Sequence, residues 1–277
     1  MPYKTILVHC NDKQRMTALL APTLTLASVF QSHVIGLSVV PPVSVIATGF
    51  EAPPIVVDAH CEFYRQQVPV MRREFEEAMS GRPVTSEWRD VDAGAFGVGD
   101  VVLEQGRTVD LIVAHQTDPD LPASQWLDVA DRVALESGRP VLIFPEGRSS
   151  AQVASRVLVA WNGRREAARA VFDALPLLKQ ASAVRVVSIG ETGEDAQQRA
   201  GIDICDALSR HAIKAGKTEH IAAAVGAGPQ LMAEADAFGA DLVVMGCYGH
   251  SRLREFIFGG ATRHFLQKMH VPVLMSH

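Results

Sequence analysis

The chain has 277 residues, 48% of them hydrophobic and 21% charged, which suits one large or two ordinary packed domains and excludes a disordered chain. A formal net charge of -5 argues against nucleic acid as the main partner, because a surface that tracks phosphates needs a basic excess. No apolar run approaches the ~20 residues that span a bilayer, and the four scattered cysteines, with no CxxC pair, suit neither a disulfide framework nor a zinc site. The expectation is a cytoplasmic protein with no membrane, nucleic-acid or metal partner.

In chain order, "YKTILVHCND" (3–12) is a short apolar run ending at Asn11, and Met16, Leu19, Leu20, Ala27 and Phe30 then recur at helical spacing. Residues 41–60, "PPVSVIATGFEAPPIVVDAH", are Pro-rich, lack helical period and read as an insertion. "DAGAFGVG" (92–99) carries three glycines but not GxGxxG after a first strand, so it reads as a loop. "DLIVAH" (110–115) and "RPVLIFP" (139–145) are further buried strands, and "EGRSSAQVAS" (146–155) is small and polar, as a linker should be.

The pattern then repeats. "ASRVLVAWNG" (154–163) mirrors the first run, its Asn162 standing 151 positions after Asn11. "DLVVMG" (241–246) mirrors "DLIVAH" at an offset of 131, and "VPVLMSH" (271–277) mirrors "RPVLIFP" at 132. Strands are expected at 157–161, 184–190, 218–225, 241–246 and 271–276, and helices at 164–180, 195–215, 229–238 and 260–269. Apolar runs alternating with helices predict a parallel sheet covered on both faces. The fold class expected is α/β, with two tandem Rossmann-like domains of the HUP type. Each is an open five-stranded parallel sheet with helices on both faces, over residues 1–146 and 156–277, joined by a linker at 147–155. Ligands of such sheets bind beyond the carboxyl ends of the strands, where strand order reverses.

A stretch rich in glycine and arginine leaves one of these ends, "MGCYGHSRLREFIFGGATRHFLQKM" (245–269). Gly246 and Gly249 permit positive φ and close backbone approach to a ligand. Gly259 and Gly260 precede a helix whose free N–H groups suit phosphate, with Thr262 in its first turn and Arg252, Arg254 and Arg263 adding charge. A plain strand-to-helix connection with surface arginines would also carry glycines; the spacing and the helix start favour phosphate. The corresponding first-half stretch, 115–131, has Asp118, Asp120, Asp128 and Asp131, two prolines, no glycine and no basic residue. Carboxylates there would repel a phosphate. The basic and acidic totals of 26 and 31 divide as 12 and 19 over residues 1–150 and 14 and 12 over the rest, in the same sense.

At this loop the chain resembles the universal stress protein family in its tandem two-domain form. Gly246, two residues, Gly249, nine residues and Gly259 match the spacing of that family's nucleotide-binding members. The next position departs, being Gly260 rather than Ser or Thr, and Thr262 stands where many members have a second hydroxyl residue. The resemblance implies that ATP or AMP, with Mg²⁺ compatible with ATP, is held by the loop and the helix start. The residues concerned are Met245, Gly246, Gly249, His250, Arg252, Gly259, Gly260, Ala261 and Thr262. It also implies that the end of the first strand touches adenosine, where the family has Asp and this chain has Asn162. A helix N-cap is the other reading of Asn162.

The first half is expected to bind no nucleotide, and the resemblance implies that the two last strands pair across a pseudo-twofold. A homodimer and an unidentified protein partner are expected besides. No catalytic residue declares itself, which favours a stress-response regulator over an ATP-hydrolysing or nucleotidyl-transferring enzyme of the same fold. "CYGH" (247–250) is similar to a nucleotidylyltransferase signature but follows the wrong strand. GxxxxGK[ST] is missing, which excludes P-loop chemistry.

Overall fold

The computed structural model describes residues 2–42, 54–94, 96–117, 129–146, 153–190, 204–216, 218–247 and 261–277. In the first half the elements are β1 (Thr5–His9), α1 (Lys13–Phe30), β2 (His33–Val40), α2 (Pro54–Met79), β3 (Thr85–Asp92), α3 (Val98–Gly106), β4 (Leu111–His115), α4 (Ala130–Glu136) and β5 (Val141–Phe144). The second half continues with β6 (Arg156–Ala160), α5 (Arg165–Asp173), α6 (Leu175–Leu178), β7 (Ala183–Ile189) and α7 (Ile204–Arg210). It closes with β8 (Glu219–Ile221), α8 (Ala227–Phe238), β9 (Leu242–Gly246), α9 (Ala261–Lys268) and β10 (Val273–Ser276).

Period two within the strands divides their side chains between two buried layers. Ile6, Val8, Leu111 and Val113 face a layer that holds Met16 of α1, Phe75 of α2 and Val171 of α5. Leu7, Ile112 and Ala114 face the other, with Val102 of α3, Val133 of α4, Leu231 of α8 and Phe265 of α9. Apolar on both faces, these strands are stable only between helices, so the continuous runs of the sequence become a covered parallel sheet.

The strand order is β3-β2-β1-β4-β5-β10-β9-β6-β7-β8. Two five-stranded parallel sets are present as expected, and they form one ten-stranded sheet because β5 and β10 pair antiparallel. Val273 faces Ile143, Leu274 faces Leu142 and Met275 faces Val141. Since residues of the two halves correspond at an offset of 132, Leu142 and Leu274 are each other's counterparts, and the pseudo-twofold axis passes through that pair. Each half also fastens its first strand with one aspartate. Asp110 accepts from the backbone N–H groups of Lys4 and Thr5 at 2.8 and 3.0 Å, and Asp241 from those of Ser155 and Arg156 at 2.9 and 2.8 Å.

Three expectations change. The helix expected at 164–180 divides at Ala174, where Pro176 in the first turn of α6 would clash with the Phe172 carbonyl of a continuous helix. The insertion expected at 41–60 ends early, because α2 begins at Pro54, a ring whose fixed φ suits a helix start; residues 43–53 lie outside the described ones. The strand expected at 218–225 is confined to β8, three residues long.

Leu142 and Leu274 are both fully buried at the join. Leu274→Ala should therefore lower the unfolding free energy by about 2–5 kcal/mol, read by urea denaturation. A loss below about 1 kcal/mol would show that the join is not a packed interface.

Candidate functional site

Two positions mark a reversal of strand order within the parallel sets, between β1 and β4 and between β6 and β9. The residues at the two crevices correspond at the offsets read from the sequence, but their chemistry differs.

In the second half, β6 passes into Trp161, whose N–H bonds the Val187 carbonyl at 2.8 Å, and then into the exposed Asn162. The Asn162 Oδ1 accepts from the Arg164 N–H at 3.1 Å. Gly163, at φ +71°, makes the turn. Arg164, rather than Asn162, is the N-cap position of α5, and it makes no side-chain cap bond. Asn162 therefore closes a turn two residues before the helix, which revises the N-cap reading.

Met245 and Gly246 end β9. The Met245 side chain is buried in the layer beneath α8 and α9, which leaves only its backbone for a ligand. Gly246 is not in the left-handed region. A Cβ there would lie 2.4 Å from the Glu166 carbonyl carbon and 2.5 Å from the Ala167 nitrogen. The glycine lets the first turn of α5 sit directly on the strand end, so the close approach expected for a ligand is, at Gly246, an approach of helix to strand.

The first turn of α5 carries Glu166, buried with its carboxylate 2.5 Å from Arg165 Nε. Burial pushes its pKa up, but the Arg165 hydrogen bond, a backbone N–H and the charges of Arg165 and His277 outweigh burial, so the carboxyl lies below its ordinary range. His277 Nδ1 is 2.9 Å from the Cys247 carbonyl. A carbonyl only accepts, so Nδ1 carries the proton. Glu166 brings a carboxylate and His277 an imidazole to the crevice, neither of which the glycine spacing announces. The signal that could find Glu166 is its offset of 151 from Arg15.

Ala261 opens α9, and Thr262 in its first turn is buried. The helix is anchored by Phe265, fully buried, and by contact with α8, where a Cβ on Gly228 would lie 2.7 Å from the His264 Cβ. Gly249, His250, Arg252, Gly259 and Gly260 lie outside the described residues. Among the described residues, no group of three or more His, Cys, Asp or Glu side chains is placed to hold a metal ion, and no helix is long and apolar enough to cross a membrane.

The first-half crevice is filled by side chains. Asn11 is buried, donating to the Val39 carbonyl at 3.0 Å and accepting from the Val39 N–H at 2.7 Å, so its amide ties β1 to β2. His115 stands where the second half has Gly246, and its Nε2 lies 2.5 Å from the Arg15 carbonyl. Arg15, buried in the first turn of α1, donates to the Gln116 carbonyl at 2.5 Å and to Glu146 at 2.9 Å. Asp12 caps α1 by accepting from the Arg15 N–H at 2.9 Å. His9 is buried behind them, its Nε2 without a hydrogen-bond partner among the described residues.

Two predictions follow from these contacts. Gly246→Ala should force α5 away from β9, because the obstruction is backbone rather than a flexible side chain. A cost of about 1–3 kcal/mol in urea denaturation is expected, and none would mean the helix moves freely. His9 titrates near 3, lowered from 6.5 by burial first and then by the charges of His115 and Arg15. The unfolded chain thus takes up this proton before the folded one does, and stability falls as pH drops from about 6.5 towards 3, by at most ~1.4 kcal/mol per pH unit. His9→Leu should flatten that slope in denaturation curves taken across pH. An unchanged slope would mean that His9 titrates alike in both states.

A sequence model of the universal stress protein family matches residues 154–277. A universal stress protein of Synechocystis sp. is 27% identical over 146 residues, 52% of this chain. The chain spans about half the length of that curated relative, 49%. The crystal structure of a universal stress protein from Archaeoglobus fulgidus DSM 4304 is similar at a TM-score of 0.72 and 16% identity, over 100% of this chain and 96% of that one. The cytoplasmic domain of a prokaryotic cation chloride cotransporter is similar at 0.52 and 12% identity, over 99% and 95%. At these identities the solved structures speak for the fold alone. The family model thus falls on the half that carries the glycine spacing: residues 154–277 match the universal stress protein family, and the fold of the whole chain is similar to that of a solved universal stress protein.

Proposed function

We propose that the chain is a stress-response regulator that binds one adenine nucleotide, ATP or AMP, through residues 156–277. In this reading residues 1–146 are a partner half without a phosphate loop, 147–155 are the link, and a protein partner senses the bound state. The observation that carries the reading is the contrast between the two crevices. Where β9 ends in Gly246 and continues into Gly249 and Gly259 at the family's spacing, β4 ends in His115 and Gln116, held by Arg15. Among the described residues of the first crevice, Arg15, His115, Gln116 and Glu146 bond one another and would have to be displaced to serve a base or ribose.

The chemistry of the second crevice suits a nucleotide. The first turn of α9 supplies N–H groups that have no intrahelical acceptor and the positive end of the helix dipole. Thr262 adds a hydroxyl, and Arg252 a charge that salt would screen. Asn162, exposed at the end of β6, offers an amide to the adenosine part. The antiparallel pairing that an apolar edge strand would seek in a second copy is met within this chain by β5 and β10. A homodimer, in this reading, uses another surface.

Titration calorimetry of the full chain with ATP and with AMP tests the proposal. A stoichiometry near one is expected, with Gly259→Val losing most of the affinity while its melting curve stays that of the parent. A stoichiometry near two, no heat at all, or a Gly259→Val protein that binds as well as the parent would overturn it.

A further inference from the structure

The residue immediately after the fourth strand of each half crosses the pseudo-twofold. Gln116, after β4, donates from Nε2 to the Leu266 carbonyl of α9 at 2.8 Å, wholly within the buried interior. Its counterpart Cys247, after β9, has Sγ 3.4 Å from the Ala134 carbonyl of α4 and equally 3.4 Å from the Ser276 carbonyl of β10, which share its one proton. The pairs correspond at offsets of 131 and 132, so the same contact is made twice, in opposite directions. Both helix acceptors are third from the end of their helix, among the last carbonyls, which a helix leaves without an intrahelical donor. The two are not equal in strength. An amide at 2.8 Å is a firm donor, whereas a thiol is a weak one.

Gln116 is itself held. Its Oε1 accepts from the Glu146 N–H at 3.3 Å, its own N–H bonds the Phe144 carbonyl at 2.8 Å, and its carbonyl receives the Arg15 guanidinium. An amide fixed at its oxygen and at its backbone presents its nitrogen to Leu266 at little further entropy cost. The first half thus grips the C-terminal end of the very helix whose first turn the proposed reading places at the phosphates.

We infer that Gln116 is a positioning residue for nucleotide binding, through which the half without a phosphate loop holds α9 in register for the half that has one. The inference rests on the proposed function for its consequence and on the observed bond for its cause. Leu266 stands four residues after Thr262, about 6 Å along a rigid helix at about 1.5 Å per residue, so a displacement at one end is felt at the other. Phe265 packing restrains α9 sideways; Gln116 supplies the directional contact that fixes its end. This also explains why the first crevice is occupied: Arg15, Glu146 and Gln116 form one braced group whose outlet is α9.

The test uses the full chain with Gln116→Met, similar in volume but without a donor, and Gln116→Ser, too short to reach Leu266, as the second variant should Met prevent folding. ATP affinity is read by calorimetry and local opening by amide hydrogen exchange. Affinity about three- to tenfold weaker is expected, the scale of one lost hydrogen bond. Amides at the end of α9, around residues 265–270, should exchange faster, while those of β1, β4, β6 and β9 keep their protection. Unchanged affinity in a folded variant overturns the inference, and so does exchange that rises equally across strands and α9, since that marks a general loss of stability. If the parent itself binds no ATP, the proposed function fails separately, and the positioning claim is then decided by α9 exchange alone.

Discussion

The antiparallel pairing of β5 with β10 is the constraint on which the molecule depends. Each half, taken alone, would end in a short, largely apolar strand whose backbone donors and acceptors face outward on one side, a template for aggregation. Joined at Leu142 and Leu274, the two edges satisfy each other and become the middle of one sheet. The outer edges that remain are of a different kind. β3 carries Glu87, Arg89, Asp90 and Asp92, and β8 is three residues long, so neither invites a further strand.

Because the join lies on the pseudo-twofold axis, it brings the carboxyl ends of the two halves into one relationship, and that relationship is where the halves diverge. Corresponding positions hold His115 and Gly246, Arg15 and Glu166, Gln116 and Cys247. In each pair the first-half residue is the larger or carries the opposite charge. The first-half set forms a closed group of hydrogen bonds around Arg15, with His9 kept neutral by burial. The second-half set gives up side-chain volume at Gly246, so α5 lies against the strand end. One architecture thus supports two strand ends of different chemistry, and Gln116 connects the first half to α9 of the second.

A fold of this kind does not by itself name an activity. A universal stress protein and a transporter's cytoplasmic domain both share it with this chain over nearly their whole length at low identity. The functional reading therefore stands on local chemistry: glycine spacing, a helix start and charge distribution on one side, and a filled crevice on the other.

Much of this was legible in the sequence, for a physical reason. Parallel strands covered on both faces must be continuously apolar, so runs such as "TILVH", "LIVAH" and "LVVMG" announced their strands, and their recurrence at 151, 131 and 132 announced the two halves. Local rules sufficed there because burial imposes composition residue by residue. Contacts between distant residues carry no such imprint. That Gly246 lets α5 pack on the strand end, that Asn11 is consumed by Val39 while Asn162 stays exposed, and that Gln116 reaches Leu266 across 150 positions were decided only when α5, β2 and α9 were packed against the sheet. A glycine, an amide or a lone glutamine reads alike wherever it stands, and its role is set by the neighbour that the fold brings to it.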